Sequence, residues 1–200
     1  MDFIQGEVLL VDKPYGWTSF DAVNKLRWHL KRHLNVKKIK VGHAGTLDPL
    51  ATGLLIICVG KKTKEISTFM GQAKEYIAQI TFGGTTPSYD LESEIDATFP
   101  TEHLSIEAIK DVLPQFQGVI QQYPPIFSAI KQGGVRMYEK ARAGEEVVVE
   151  PRTVQIDEIE ILSFENNVLR LRVLCGKGTY IRSLAHDLGK ALNSGAHLSA

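Results

Sequence analysis

Apolar residues at Phe20, Val23, Leu26 and Leu30 recur at helical spacing and predict a one-faced helix running to about His33. Thr18 or Ser19 is placed to cap it, and Asp21 falls in the first turn, where the helix dipole favours negative charge. Before it, Glu7 to Val11 reads as a strand ending at the Lys13-Pro14-Tyr15-Gly16 turn. After it come a brief strand at Ile39-Lys40-Val41, a loop from Gly42 to Pro49, a buried strand from Leu54 to Val59 and a helix from Lys61 to Met70. Glu75 to Phe82 is strand-like and is broken by Gly83-Gly84-Thr85-Thr86-Pro87. Leu104 to Leu113 is amphipathic, with Ser105 as cap and Pro114 behind it. Val119 to Tyr123 is extended up to Pro124-Pro125, and a short helix is expected within Val135 to Ala143. Val147 to Val149, Thr153 to Ile161 and Val168 to Cys175 read as strands. A last helix begins near Thr179, buries Ile181, Leu184, Ala185 and Leu188, and closes at Asn193-Ser194-Gly195. Strands joined by short loops and helices interspersed irregularly favour an α+β fold with a mixed, largely antiparallel sheet and flanking helices. No internal repeat or low-complexity linker interrupts the 200 residues, so a single domain is expected.

Composition changes this picture little. Hydrophobic residues make up 44% and charged residues 23%, ordinary values for a globular chain. The longest apolar run, Leu54 to Val59, is strand-sized rather than membrane-sized, and the N-terminus carries no secretion pattern. Cys58 and Cys175 each lie in an apolar run, which suits two buried thiols in a reducing cytoplasm. Charge is more informative. The formal net charge is zero, which taken alone argues against a nucleic-acid partner. Yet no acidic residue lies between Asp21 and Asp48, where Lys25, Arg27, Lys31, Arg32, Lys37, Lys38 and Lys40 crowd together, while acid gathers at Asp90, Glu92, Glu94 and Asp96. Such a chain can present a basic face to phosphate; a solvated helix face is the competing explanation.

The segment richest in chemical possibility runs from Gly42 through His43, Gly45, Asp48 and Pro49 to Gly53. Glycine allows close backbone approach to a ligand, and the following proline biases Asp48 towards an extended shape. A carboxylate so held can be presented to a substrate. On spacing alone an ordinary Asp-Pro turn, with the glycines serving only that turn, is the better reading.

Five ordered segments resemble bacterial TruB-type tRNA pseudouridine synthases: Asp12 to Ser19, Gly42 to Gly53, Tyr123 to Lys131, Tyr138 to Arg142, and Cys175 to Arg182 continuing to Asp187-Leu188-Gly189. The resemblance implies the pseudouridine synthase fold and isomerisation of the uridine at tRNA position 55, in the T-loop, with no cofactor and no metal. It assigns Asp48 as the catalytic carboxylate and Arg182 as the arginine that pairs with it. Tyr76 becomes the tyrosine beside the target base, able to stack and to join in proton transfer. Tyr180 lines the uridine pocket, and His43 fills the space vacated when the uridine is flipped out of its stack. Gln122 to about Val149 resembles a thumb insertion that folds over the RNA, with Lys131, Arg136, Lys140 and Arg142 directed at phosphates and Gly133-Gly134 as a hinge. The implied partner is the tRNA T-stem-loop, the implied state a monomer, and no membrane or protein partner follows.

The resemblance is looser over Thr85 to Ile95, to which no catalytic role is assigned. The family continues beyond the Gly195-Ala196-His197-Leu198 motif with a base-packing leucine, an arginine-rich end and a small RNA-binding (PUA) domain. The expectation is therefore a C-terminally incomplete catalytic domain with weakened tRNA binding. A non-catalytic RNA-binding or RNA-chaperone module is the main alternative. Metal binding by His43 with Asp48 lacks a third ligand, and Gly176-Lys177-Gly178-Thr179 lacks the order of a phosphate-binding P-loop.

Overall fold

The computed structural model describes residues 2–128, 130–145 and 147–200, without the side chains of Lys131, Gln132, Arg136 and Arg142. It comprises two compact units, Met1–Gln72 and Ala73–Ala200.

The first unit contains β1 (Glu7–Lys13), α1 (Ser19–His33), β2 (Val41–His43), β3 (Gly53–Val59), a 3-10 turn (Gly60–Glu65) and α2 (Ile66–Met70). The three strands form an antiparallel sheet in the order β1-β3-β2. Ala22, Val23 and Leu30 of α1 pack with Val41, Leu55, Ile57 and Val59 to make its core. Thr18 is the cap: its hydroxyl accepts from the Asp21 amide while the Asp21 carboxylate accepts from the Thr18 amide. Phe20 departs from the expected stripe and is 59% exposed. The helix turns it outward, towards the guanidinium of Arg27. The second strand begins at Val41, where the expected one ends, because it is Val41, Gly42 and His43 that register with Val59, Cys58 and Ile57.

The second unit is built on a five-stranded antiparallel sheet in the order β12-β4-β11-β10-β7, with β4 at Lys74–Phe82, β7 at Gly118–Gln122, β10 at Arg152–Glu165, β11 at Val168–Cys175 and β12 at Ala196–Leu198. Between them lie β5 (Gly84–Thr85), β6 (Ala97–Thr98), α3 (Ile106–Val112), the small hairpin β8 (Lys131–Gln132) and β9 (Val135–Arg136), and α4 (Met137–Arg142). The helix α5 (Ile181–Ala191) places Leu184, Ala185 and Leu188 in a core shared with Ile80, Leu169, Leu171 and Val173 of the sheet. Ser105 caps α3 as expected. Val147 to Val149 form no strand, although their β-branched run resembles one: the neighbouring sheet positions on β10 are filled by β7 and β11. Conversely β12, too short to carry a period-two signature, joins the edge of β4. Both cysteines are buried and unbridged, and burial pushes their thiols above the usual range. Among the described residues no helix is long and apolar enough to cross a membrane.

Candidate active site

In the first unit, register does most of the placing. Because β1 and β3 pair antiparallel from Glu7↔Val59 to Lys13↔Gly53, the turn after Lys13 and the loop before Gly53 emerge side by side. That loop joins β2 to β3 and carries Asp48, which is partly exposed. Its entry and exit take backbone shapes that side chains rarely adopt, with φ of 134° at Gly45 and 109° at Gly53. Ser19, buried at the start of α1, fixes the loop from one side: its hydroxyl accepts from the Leu47 amide at 2.9 Å and donates to the Leu47 carbonyl at 3.2 Å. The Gly16 amide donates to the Pro49 carbonyl from the other side. Asp48 itself closes a turn, its carbonyl accepting from the Ala51 amide. The carboxylate is thus mounted between two anchored residues.

Lys13 is the more unusual feature. Its side chain is fully buried, and its ammonium donates to the carbonyls of Trp17 (2.6 Å), Pro14 (3.1 Å) and Pro49 (3.2 Å). Burial lowers its pKa, while the negative charges of Asp48 and Asp21 pull the other way. Lys13 therefore ties the first turn to the Asp48 loop and lends that loop positive charge. His43 is partly buried, and its Nδ1 donates to the Gly45 carbonyl at 2.6 Å, which fixes the ring over the loop.

In the second unit, the helix α5 places Arg182 in its first turn. A guanidinium there meets both desolvation and the positive end of the helix dipole, so it needs compensation. Only 5% of Arg182 is exposed, and its donors reach the carbonyls of Ser88 and Phe127, each at 3.1 Å. Asp90, also buried, lies at 3.5 Å, an ion pair rather than a tight hydrogen bond. Asp90 is held in turn: its carboxylate accepts from the Glu92 amide, and its carbonyl accepts from the Thr86 and Ser88 hydroxyls. Arg182 is thus no surface arginine on a helix. The stretch to which sequence reading gave no role supplies its buried counter-charge.

Tyr180 caps α5, and its backbone is clamped by Gln122, whose buried amide accepts from the Tyr180 N–H (2.8 Å) and donates to the Tyr180 carbonyl (3.0 Å). Ser183 adds a bond to the Tyr123 carbonyl at 2.7 Å. Tyr76 stands on β4 opposite Val173, its ring partly buried against the core. Beside Asp90, Tyr89 adopts a left-handed backbone (φ 63°) and stacks on His186 of α5 with ring centroids 3.8 Å apart. Burial and Lys190 depress the His186 pKa to about 4, and its Nδ1 is buried without a hydrogen-bond partner among the described residues. Lys131 and Arg142 lie on β8 and α4, but their side chains fall outside the described residues.

With this geometry in hand, comparison with known proteins is decisive. The model of the TruB family pseudouridylate synthase N-terminal domain matches residues 31–181. The chain belongs to the TruB family of pseudouridylate synthases. Among relatives named tRNA pseudouridine synthase B, that of Parabacteroides distasonis is 61% identical over 99% of this chain and 84% of its own length. Those of Phocaeicola vulgatus and Bacteroides fragilis are 59% and 57% identical, each over 100% of this chain and 85% of theirs. A chain from a crystallised Cbf5-Nop10-Gar1 complex shares the fold with a TM-score of 0.70 and 32% identity, covering 98% of this chain and 47% of that one. A chain from an H/ACA RNP bound to a substrate RNA containing 2'-deoxyuridine follows at a TM-score of 0.67 and 30% identity, covering 98% and 46%. This chain therefore spans about half the length of those solved chains. The α+β fold expected from the sequence is the pseudouridine synthase fold, and the chain is an RNA-modifying isomerase of the TruB family.

Within a TruB-family synthase, Asp90, Gln122 and the buried amine of Lys13 are the polar residues that sequence reading left without an individual role. No periodicity marks a buried carboxylate standing in a run of exposed acids. Lys13 carried a signal in its position, a lysine directly after an apolar strand and before a proline turn, but the same pattern describes an exposed turn lysine.

Proposed function

We propose that this chain converts the T-loop uridine of tRNA to pseudouridine, with Asp48 as the carboxylate on which the reaction turns. The observation that carries this reading is the mounting of Asp48. The carboxylate sits on a loop anchored at Leu47 by Ser19 and at Pro49 by Gly16 and Lys13, and the buried Lys13 ammonium lends it positive charge. A group so fixed can act on a nucleoside without first being reorganised. The relatives named tRNA pseudouridine synthase B supply the substrate class.

The reaction breaks the bond between C1′ and N1, turns the freed uracil and joins C5 to C1′. The hydrogen leaves C5 and N1 gains one, so atoms balance without an external reactant. The Asp48 carboxylate assists by attacking the sugar or base or by steadying the glycosidic cleavage. Arg182 is proposed as its guanidinium partner, keeping the carboxylate charged and oriented. Tyr76 stacks on the base and takes part in proton transfer, Tyr180 lines the pocket, and His43 occupies the stack left by the flipped nucleotide. The segment from Gln122 to about Val149 acts as a thumb over the RNA, with Lys131 and Arg142 meeting phosphates. Gly133 and Gly134, both at positive φ with open space around them, suit a hinge between β8 and β9. Incubating the protein with an unmodified T-stem-loop and mapping pseudouridine along the product tests the reading. A single modified position in the T-loop is expected. RNA bound but left unmodified supports the alternative of an RNA-binding or chaperone module.

A further inference from the structure

Along α1 the side chains not used by the core form a surface of their own. Lys25, Trp28 and Arg32 follow one another at spacings of three and four and therefore share a face, with His29 beside Trp28 at its edge. Trp28 is 48% exposed, the Arg32 guanidinium lies over its ring at 4.5 Å from the centroid, the Lys25 amine approaches at 5.9 Å, and His29 meets it edge-on at 4.7 Å. Lys31 borders the same shallow groove. No salt bridge pairs Lys25, Lys31 or Arg32 with a carboxylate among the described residues, and the chain carries no acid between Asp21 and Asp48. Basic residues in the last turn do favour the helix dipole, which accounts for Lys31 and Arg32 as charges. It does not account for a large indole left in water at the centre of them.

A π-face bordered by uncompensated cations is how proteins hold exposed nucleotides: bases stack on the ring while phosphates meet the charges. Placement within the first unit points the same way. Ser19 ties the start of α1 to Leu47, next to Asp48, and Trp28 lies nine residues further along the helix, about 13 Å at roughly 1.5 Å per residue. An RNA that presents a nucleotide to the Asp48 loop has neighbouring nucleotides within reach of that distance.

We propose that the Lys25–Trp28–Arg32 face of α1 is a second RNA-binding surface, separate from the uridine pocket, at which Trp28 stacks on an unpaired base of the substrate and Lys25, Lys31 and Arg32 take its phosphates. The inference rests on the reading of the chain as a tRNA-modifying enzyme. It adds affinity without touching the reacting atoms, so its signature is a change in KM and not in kcat.

The test uses the whole chain and unmodified tRNA. Trp28→Ala is expected to raise KM and Kd roughly tenfold with kcat unchanged, and Trp28→Phe to restore most of that loss. The paired Lys25→Gln, Arg32→Gln variant is expected to reduce the slope of log affinity against log salt by about one to two, because a phosphate that the protein no longer neutralises keeps its counterion. Part of the tryptophan fluorescence should be quenched on tRNA binding, and that part should vanish in Trp28→Phe. Unchanged KM and salt slope in variants with wild-type circular dichroism would overturn the proposal. So would quenching of Trp28 by polyglutamate but not by tRNA, which would assign the face to an acidic protein. Failure of the wild-type chain to modify tRNA would strike the functional reading instead, because the α1 variants are judged against wild-type turnover.

Discussion

A lysine amine and an imidazole, each taken out of water, carry the main residue-scale consequences of this structure. Replacing Lys13 with methionine keeps the length of the side chain but removes the donor shared by the carbonyls of Pro14, Trp17 and Pro49. The carbonyls of Pro14 and Pro49 keep a backbone donor and that of Trp17 loses its side-chain one, so the variant is expected to lose about 1–3 kcal/mol in urea unfolding. Turnover should fall as well, since Pro49 adjoins Asp48; unchanged stability would mean that the amine is not what holds the turn. His186 gives a pH signature. Its folded pKa, about 4, lies below the ordinary 6.5, so the native state prefers the neutral ring that stacks on Tyr89. Between those two values the unfolded chain binds more protons than the folded one. The contribution of His186 is therefore fully present above about pH 6.5 and is lost as the pH falls towards 4. Allowing for partial exposure of the ring, that loss is on the order of 2 kcal/mol. In His186→Asn the difference in stability between pH 7 and pH 4.5 should shrink accordingly. An identical pH profile in the two proteins would contradict the assignment.

Among the elements, α5 is where fold and candidate chemistry meet. Its apolar stripe was readable from spacing, and Leu184, Ala185 and Leu188 are buried as expected. Periodicity could not say what holds the start of the helix, because the holder is Gln122, remote in sequence, on a strand brought alongside by β10. Gln122→Met removes the acceptor of the Tyr180 N–H and one of the donors to the Tyr180 carbonyl, which keeps the Leu184 amide, while preserving the volume. It is expected to cost about 1–3 kcal/mol and to lower turnover by displacing Tyr180 and Arg182 together, read from thermal unfolding and single-turnover rates. Full activity would show that α5 keeps its place without the clamp. The far end of α5 shows a second limit of sequence reading. Gly189 lies against Gly195 and Ala196 so closely that a Cβ would collide with backbone, which lets β12 follow the helix directly. Three residues behind a polar turn carry too little pattern to announce such a strand. The strand expected at Val147 to Val149 fails for the opposite reason: β-branched residues favour a sheet position but do not create one.

At the scale of the whole molecule, a net charge of zero concealed the feature that matters, an acid-free basic stretch in the first unit and an acidic cluster in the second. The order of elements and the antiparallel class were legible because long strands and α1 carry strong period-two and 3.6 signals. Asp48 could be singled out only through resemblance, since an Asp-Pro turn between glycines has no pattern of its own. Asp90 was not legible at all, because its role is set by where Arg182 arrives after folding. The proposed chemistry depends above all on the Asp48 carboxylate. Its most direct test is tritium release from 5-tritiated uridine in tRNA under single-turnover conditions, comparing the wild-type chain with Asp48→Asn at saturating protein. Release should fall by at least about a thousandfold in the variant while its RNA affinity stays within a few-fold of wild type. Tritium release at near wild-type rate from Asp48→Asn would remove this residue from the chemistry and contradict the mechanism.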